Sequence, residues 1–438
     1  MYNYIETLGY IHSFSAYATP PHTNLEKIKY LCDIFENPQD SLKTIHVAGT
    51  NGKGSTVAML ADVLQRLGLK TGRFISPYIE DFSERISVGN IDISKADVIY
   101  FADKIKKTME KTKIPKEFMP NEFDFVTLMA FLYYREKNCD IAVIETGLGG
   151  RLDPTNAIAS PQASVITSIG LDHVQYLGDT IEKIATEKCG IIKQNSPVII
   201  SAQNAESVLD IAKKAALAKN CEFISPSIKS LKITKENFAG STFEYKSESY
   251  RLGLAGRHQI YNALTVIETI KHLFGKSPDT QNALFHGLEN AFFPARFETL
   301  SKNPLVILDG AHNMSGVEAL IESIKNLLPG KKIVLVCGML KDKNPEDIIP
   351  HIAKQGFVEK FIGVPVNSPR AESPQKLCEI AQRYCKNSEF GLSLDEVLGS
   401  IFARLPDDKN IAFVCFGSLY LAGEVKKIAK NRKNERHL

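Results

Sequence analysis

One segment constrains this chain more than any other: Thr44-Ile45-His46-Val47, then Gly49-Thr50-Asn51-Gly52-Lys53-Gly54-Ser55, then an amphipathic run ending near Leu67. The first four residues read as a buried strand. After the glycines, Val57, Leu60, Val63, Leu64 and Leu67 recur at three- and four-residue intervals, which places them on one face of a helix. Gly68 follows, as helix C-termini favour. A strand, a glycine-rich turn and a helix in succession open an α/β unit, in which helices cover a parallel sheet.

The rest of the sequence extends that pattern. Strands are expected at Ile141–Glu145, 163–169 and 197–202. From 221 to 254, short alternating segments rich in Gly, Ser and Lys suggest a local antiparallel element or a solvent-exposed edge. A second series begins near residue 300. It has strands at Leu305–Leu308, 333–337, Val358–Gly363 and Ile411–Phe416, with helices over 315–328 and 347–354. Residues 292–297 (FFPARF) and 301–304 (SKNP) form the hinge candidate. The expected division is a larger α/β domain over 1–298 and a smaller, Rossmann-like α/β domain over 299–438, and 438 residues suit two or three domains.

Composition narrows the function classes. Lys plus Arg is 53 and Asp plus Glu is 50, a formal charge of +3, so charge-driven nucleic-acid binding is excluded. With 44% apolar and 24% charged residues the chain is neither disordered nor fibrous. No apolar run approaches the roughly 18 residues of a membrane span, and Met1-Tyr2-Asn3-Tyr4-Ile5-Glu6 has no basic-then-apolar signal pattern. Eight scattered cysteines without Cys-x-x-Cys read as reduced thiols. These features predict a soluble cytoplasmic protein without nucleic-acid or membrane partners; the basic tail from Lys426 to His437 reads as a solvated helix end.

The glycine-rich turn can wrap a phosphate, with free N–H groups at the helix start and Lys53 reaching the β/γ-phosphates. A plain turn topped by a lysine is the alternative. The turn departs from the regular phosphate-loop pattern: Val47 stands at its first glycine position, and Gly54 stands where Ser or Thr would hold magnesium. Ser76, after the next strand, is a candidate to replace that oxygen, or an ordinary turn residue before Pro77. Glu145 ends an apolar strand before Gly147-Leu148-Gly149-Gly150, where open α/β sheets bind ligands, and is a hard oxygen donor suited to Mg²⁺. A solvated strand-end carboxylate is the plainer reading. His173 is more ordinary as a structural histidine than as a magnesium ligand, and Lys188 reads as a surface charge near a helix C-terminus.

Taken in order, these segments resemble the folylpolyglutamate synthase and dihydrofolate synthase family within the Mur ligase superfamily. The resemblance spans nearly the whole chain: His46 to Thr56, Ser76-Pro77 with Glu84-Arg85-Ile86, Glu145 to Asn156, Leu171-Asp172-His173, Glu187-Lys188-x-Gly190-Ile191, Gly256-x-His258-Gln259-x-x-Asn262-Ala263, Pro294-x-Arg296-Phe297, Asp309 to Asn313, Gly338-x-x-Lys341-Asp342-Lys343 and Gly417 to Tyr420. It implies an ATP-binding Mur-ligase-like domain, a glutamate-ligase domain, and an ATP-dependent amide ligase. Such an enzyme phosphorylates the carboxylate of dihydropteroate, or of a folate's terminal glutamate, and L-glutamate attacks the acyl phosphate. The resemblance makes Ser76, Glu145 and His173 the ligands of magnesium, with two ions expected and a monovalent cation as an optional addition. Lys188 corresponds to an N-carboxylated lysine, and Lys188, His173, Glu145 and His312 form the catalytic set. Gly49 to Ser55, Asn262, Arg296 and Asp309 match ATP contacts, the last two straddling the domain junction. Phe123, Asp124, Leu152, Asp153 and Pro154 resemble pteridine-binding segments, and Ser418 lies with His312 toward glutamate or acyl phosphate. A monomer is expected, with a cleft that closes on its substrates.

Departures are Pro154 for the common alanine, Ala295 for the usual glycine, Tyr78 for a frequent histidine, and His22-Thr23-Asn24-Leu25-Glu26-Lys27-Ile28, which follows the family's N-terminal segment loosely. The alternatives are a polyglutamate synthase alone, a Mur-type ligase of cell-wall peptides, and a non-catalytic nucleotide switch. The 48 residues before Gly49 are too few for the cell-wall enzymes' uridine-nucleotide domain, and a switch needs neither Asp309 to Asn313 nor the Glu145, His173 and Lys188 set.

Overall fold

A computed structural model describes residues 3–17, 25–403 and 410–435. Residues 22–24 of the N-terminal segment and 436–437 of the basic tail lie outside them. Internal contacts divide the chain into two units: residues up to Leu231 with Tyr261–Ala291, and Lys232–Ile260 with Phe292–Leu438. The sequence reading expects one cut at 298/299; the contacts cross at 231/232, 260/261 and 291/292.

The first unit is built on an eight-stranded sheet: β1 (Thr44–Ala48), β2 (Thr71–Phe74), β3 (Ile86–Val88), β4 (Ile91–Asp92), β5 (Ile141–Glu145), β6 (Ala163–Ile166), β7 (Val198–Ile200) and β8 (Phe223–Ile224), in the order β4-β3-β2-β5-β1-β6-β7-β8. The neighbours from β2 to β8 are parallel, and β3 and β4 run antiparallel at one edge. Every residue of β1, β5 and β6 is buried, as strands covered on both faces must be. The helix Lys53–Arg66 buries Val57, Leu60, Val63 and Leu64, and Leu67 is its C-cap before left-handed Gly68. The helix Pro278–Asn290 packs on it with Gly287 so close that a Cβ there would lie 2.6 Å from Val63 Cγ2. Residues far along the chain thus back the phosphate-loop helix, which no local pattern announces.

In the second unit, β9 (Leu231–Asn237), β10 (Gly240–Tyr245) and β11 (Glu248–Leu252) form a three-stranded sheet with β10 and β11 antiparallel. This is the antiparallel element expected between 221 and 254. It belongs with the second unit because Phe238 stacks on Phe297 and Arg257 pairs with Glu236 and Glu322. The larger sheet comprises β12 (Glu298–Lys302), β13 (Leu305–Leu308), β14 (Lys332–Cys337), β15 (Val358–Gly363), β16 (Ser388–Phe390) and β17 (Ile411–Phe416), ordered β12-β13-β17-β14-β15-β16. All but β12 are parallel to their neighbours.

The mixed α/β class and its mostly parallel sheets match the sequence expectation, with local corrections. The strand expected over 163–169 stops at Ile166, because Ser168 leaves to bridge Asn51. Residues 301–304 are not a hinge: they end β12 and turn it into β13, which pair antiparallel across an irregularity at Thr299/Ser301. The helices of the second unit begin earlier than expected, at Met314 capped by Asn313 and at Pro345, where proline suits the first helical turn. Among the described residues no helix is long and apolar enough to cross a membrane.

Candidate active site

In the first unit the candidate residues follow the carboxyl ends of four adjacent strands, β2, β5, β1 and β6. Parallel pairing points all four ends the same way, so Ser76, Glu145, the Gly49–Ser55 turn and Ser168–His173 gather at one edge. The turn is held from beneath by β6: Thr50 N and Asn51 N donate to Ser168 O at 2.8 and 3.2 Å, and Thr167 Oγ1 donates to Asn51 O at 2.7 Å. Gly52 caps the helix at φ +84°, and a Cβ there would lie 2.6 Å from Asn262 Oδ1. Asn262 therefore packs on the turn, and only glycine fits opposite it.

Two lysines converge on one carbonyl. Lys53 Nζ donates to Gly49 O and Thr50 O at 3.1 and 3.3 Å, and Lys188 Nζ donates to Gly49 O at 2.7 Å. Glu145 lies 4.0 Å from Lys53, and its Oε2 accepts from Ser76 N at 3.3 Å. Arg85 donates to Ser76 Oγ at 3.2 Å while lying over the Tyr78 ring. Burial, and next the charge of Lys53, push the Lys188 amine down to about 7. Lys188 is thus a buried group on the phosphate turn, not the surface charge that its helix position suggests. His173 sits in the left-handed region, with Nε2 3.9 Å from Asp172. Ser76 and Glu145 come together; among the described residues no three His, Cys, Asp or Glu side chains cluster as a metal site.

The pteridine candidates occupy the neighbouring turn. Phe123 and Asp124 begin the helix Glu122–Glu136, where Asn121 and Asp124 cap each other, and burial pushes the Asp124 carboxyl up to about 6. Phe123 lies against Gly147, where a Cβ would be 2.6 Å from its ring. Asp153 is fully buried and accepts from Leu148 N, Thr155 N and Thr155 Oγ1, so its carboxylate shapes the turn. Leu152 lines a small pocket with Leu148, Arg151 and Tyr176, whereas Pro154 is buried at the start of a short turn.

In the second unit, Asp309 follows β13. It accepts from Phe297 N and Ala311 N at 2.9 and 2.8 Å. Burial raises its carboxyl pKa, and the Arg296 guanidinium opposes that rise. Arg296 donates to Ala295 O and lies over the Phe293 ring. Arg296 and Asp309 therefore belong to one unit and do not straddle a junction. His312 Nδ1 lies 2.8 Å from Gly310 O. Ser418 follows β17 and accepts from Tyr420 N at 3.0 Å, a helix-capping role.

Known proteins share this fold. The Mur ligase middle domain matches residues 47–270, and the Mur ligase glutamate ligase domain matches residues 295–414. A Bacillus subtilis protein named dihydrofolate synthase/folylpolyglutamate synthase is 34% identical over 442 residues, covering 98% of this chain and 99% of its own length. The chain belongs to this family of Mur ligases. Among solved structures, a Thermotoga maritima folylpolyglutamate synthase superimposes with a TM-score of 0.83 at 34% identity, covering 98% of this chain and 97% of that one. A Mycobacterium tuberculosis folylpolyglutamate synthase complexed with ADP gives 0.86 at 26% identity, covering 98% and 99%.

Thr167, which clamps Asn51 in this Mur ligase, escaped the sequence reading, whereas Arg85, on Ser76, and Asp172, whose charge acts on Lys188, stand in the quoted motifs but were given no role there. Each lies beside a recognised residue, but its contact joins separate segments and leaves no local signal.

One buried and one half-buried imidazole are expected to make the same Mur ligase acid-sensitive. Burial first, with Lys193 next, pushes His46 down to about 3, and burial with Arg296 pushes His258 down to about 4. The unfolded chain protonates both near 6.5 while the fold keeps them neutral. Stability is therefore full above that pH and falls as pH drops toward 4, by about 1.4 kcal/mol per pH unit for each ring. Urea melts between pH 7 and 4.5 will show a shallower fall for His258→Gln than for the parent; equal slopes would remove His258 from the effect.

Proposed function

We propose that this chain is an ATP-dependent ligase that adds L-glutamate to 7,8-dihydropteroate and to the γ-carboxylate of folates. The observation that carries the reading is the phosphate turn, Lys53 and Glu145 at adjacent strand ends with helical Lys188 on Gly49 O, in a chain aligned end to end with a relative named for both activities. The turn's N–H groups and Lys53 hold the transferring phosphoryl group. The acceptor carboxylate displaces ADP to give an acyl phosphate, and the glutamate amine adds to that carbonyl carbon. The tetrahedral intermediate then loses phosphate, leaving the amide. A free carboxylate resists the amine; an acyl phosphate carries a good leaving group.

Glu145 fits magnesium: a buried carboxylate beside a phosphate-binding turn is hard-oxygen donor chemistry. Ser76 and His173 are its proposed companions, and two ions are proposed, with a monovalent cation as an addition. Magnesium, when bound, would offset charge on the phosphates. Lys188 is proposed to carry an N-carboxyl group. Its lowered basicity leaves much of it as the neutral amine that adds CO₂, and the product would face Lys53 with opposite charge. ¹³C-labelled bicarbonate will give a carbamate signal that Lys188→Arg lacks; its absence from the parent refutes the modification.

The first unit is proposed as the ATP-binding module and the second as the glutamate-ligase module, in a cytoplasmic monomer. Asn262, Arg296 and Asp309 are assigned to the nucleotide, His312 and Ser418 to glutamate or acyl phosphate, and Phe123, Asp124, Leu152, Asp153 and Pro154 to the pterin side. Arg296→Ala will lower ATP-dependent turnover by about 100-fold with the melting temperature held within a few degrees; undiminished turnover removes Arg296 from the reaction.

The deciding experiment is ADP release with L-glutamate and Mg-ATP, comparing 7,8-dihydropteroate with a reduced monoglutamyl folate, products weighed by mass spectrometry. Both will gain a glutamate. The Thermotoga structure, named for polyglutamylation alone at the same identity, favours a narrower second reading, and turnover of the folate only would establish it.

A further inference from the structure

We infer that His46 is a positioning residue for the acceptor side of the site, donating through Thr155 to Asp153 and so tying the turn 147–153 to β1. This rests on the proposed reading of that turn as pterin-binding. The direction follows from counting hydrogens. Asp153 Oδ1 is a carboxylate oxygen 2.5 Å from Thr155 Oγ1, so the single hydroxyl hydrogen of Thr155 points there. His46 Nε2 lies 2.8 Å from the same Oγ1, which can then only accept. The imidazole therefore carries its hydrogen on Nε2. Its Nδ1 is buried and has no hydrogen-bond partner, as a bare nitrogen with no neighbouring donor would. A fully buried ring that stays neutral is a fixed donor rather than a titrating group.

What the chain holds gives it a function. Asp153 also accepts from Leu148 N, closing the turn on itself. One end of that turn abuts Phe123 at Gly147, and Arg151 N donates to Glu187 O at 2.7 Å, one residue before Lys188. The relay thus fastens the acceptor-side turn to the strand from which the phosphate loop departs.

Two pairs of variants test this. His46→Gln keeps an N–H donor and His46→Leu does not; Thr155→Ser keeps the hydroxyl and Thr155→Val does not. His46→Leu and Thr155→Val will each raise KM for the pterin acceptor by about 10-fold while KM for ATP stays within about 2-fold, and Gln and Ser will restore most of it. Equal rises in both KM values, or no difference within either pair, overturn the inference and leave packing as the role. Independently of turnover, ¹⁵N spectra of histidine-labelled protein will show His46 protonated at Nε2 and bare at Nδ1 from pH 8 to 5; the opposite tautomer refutes the relay. If the parent turns over neither acceptor, the functional reading fails, and the spectrum alone decides the relay.

Discussion

Lys53→Ala will abolish ligation, lowering kcat/KM by about 1,000-fold or more, on the scale of removing a charge that stabilises a transferring phosphoryl group. The side chain is mostly buried, and its ammonium is held by Gly49 O and Thr50 O with Glu145 4.0 Å away. Those contacts aim a positive charge along the phosphate turn and fix it before any nucleotide arrives. Stability will move little, because each lost bond is to a carbonyl at the rim of the turn, about 1 kcal/mol apiece. Burial does most to depress the Lys188 amine and the like charge of Lys53 adds to it, so removing Lys53 will let that amine titrate higher. Acyl-phosphate formation, trapped with hydroxylamine, and the melting temperature check this; ligation retained in the folded variant removes the turn from the chemistry.

Asp309→Ala will act on both stability and turnover. Its carboxylate is buried, accepts two backbone N–H groups and faces Arg296. Deletion leaves Phe297 N–H and Ala311 N–H unsatisfied and removes a charge that acts on the Arg296 guanidinium, at a cost of about 2–4 kcal/mol. The second unit, whose β12 and β13 that carboxylate ties together, will melt first in calorimetry. Asp309→Asn keeps one carbonyl oxygen and will lie between. A parental melting profile for the alanine variant would show that the two N–H groups find other partners.

Much of the chemistry was legible because it is local. A strand that must be buried, a turn that must be glycine and a helix with a 3.6-residue period lie within 25 residues, and each constrains its own backbone. The family motifs added His173, Lys188, Arg296 and Asp309, which residue physics alone left as ordinary. Lys188 shows the limit: at a helix C-terminus it reads as a solvated cation, and only packing reveals that it is buried against Gly49 beside another lysine. Residues 301–304 show the reverse error. Pro and Asn imitate a linker, yet they turn one strand into its neighbour within a single sheet.

The sequence by itself determined the α/β class, the phosphate turn and the order of strands along the chain, because periodicity and glycine act over a few residues. Tertiary structure decided which strands are neighbours. β5 pairs between β2 and β1, and that pairing gathers Ser76, Glu145, Lys53 and Lys188 from positions more than 130 residues apart. It also decided protonation: the lowered basicity of Lys188 and His46 follows from burial by distant segments. Local propensity fixes what each segment is, whereas long-range hydrogen bonding and desolvation fix what its side chains can do.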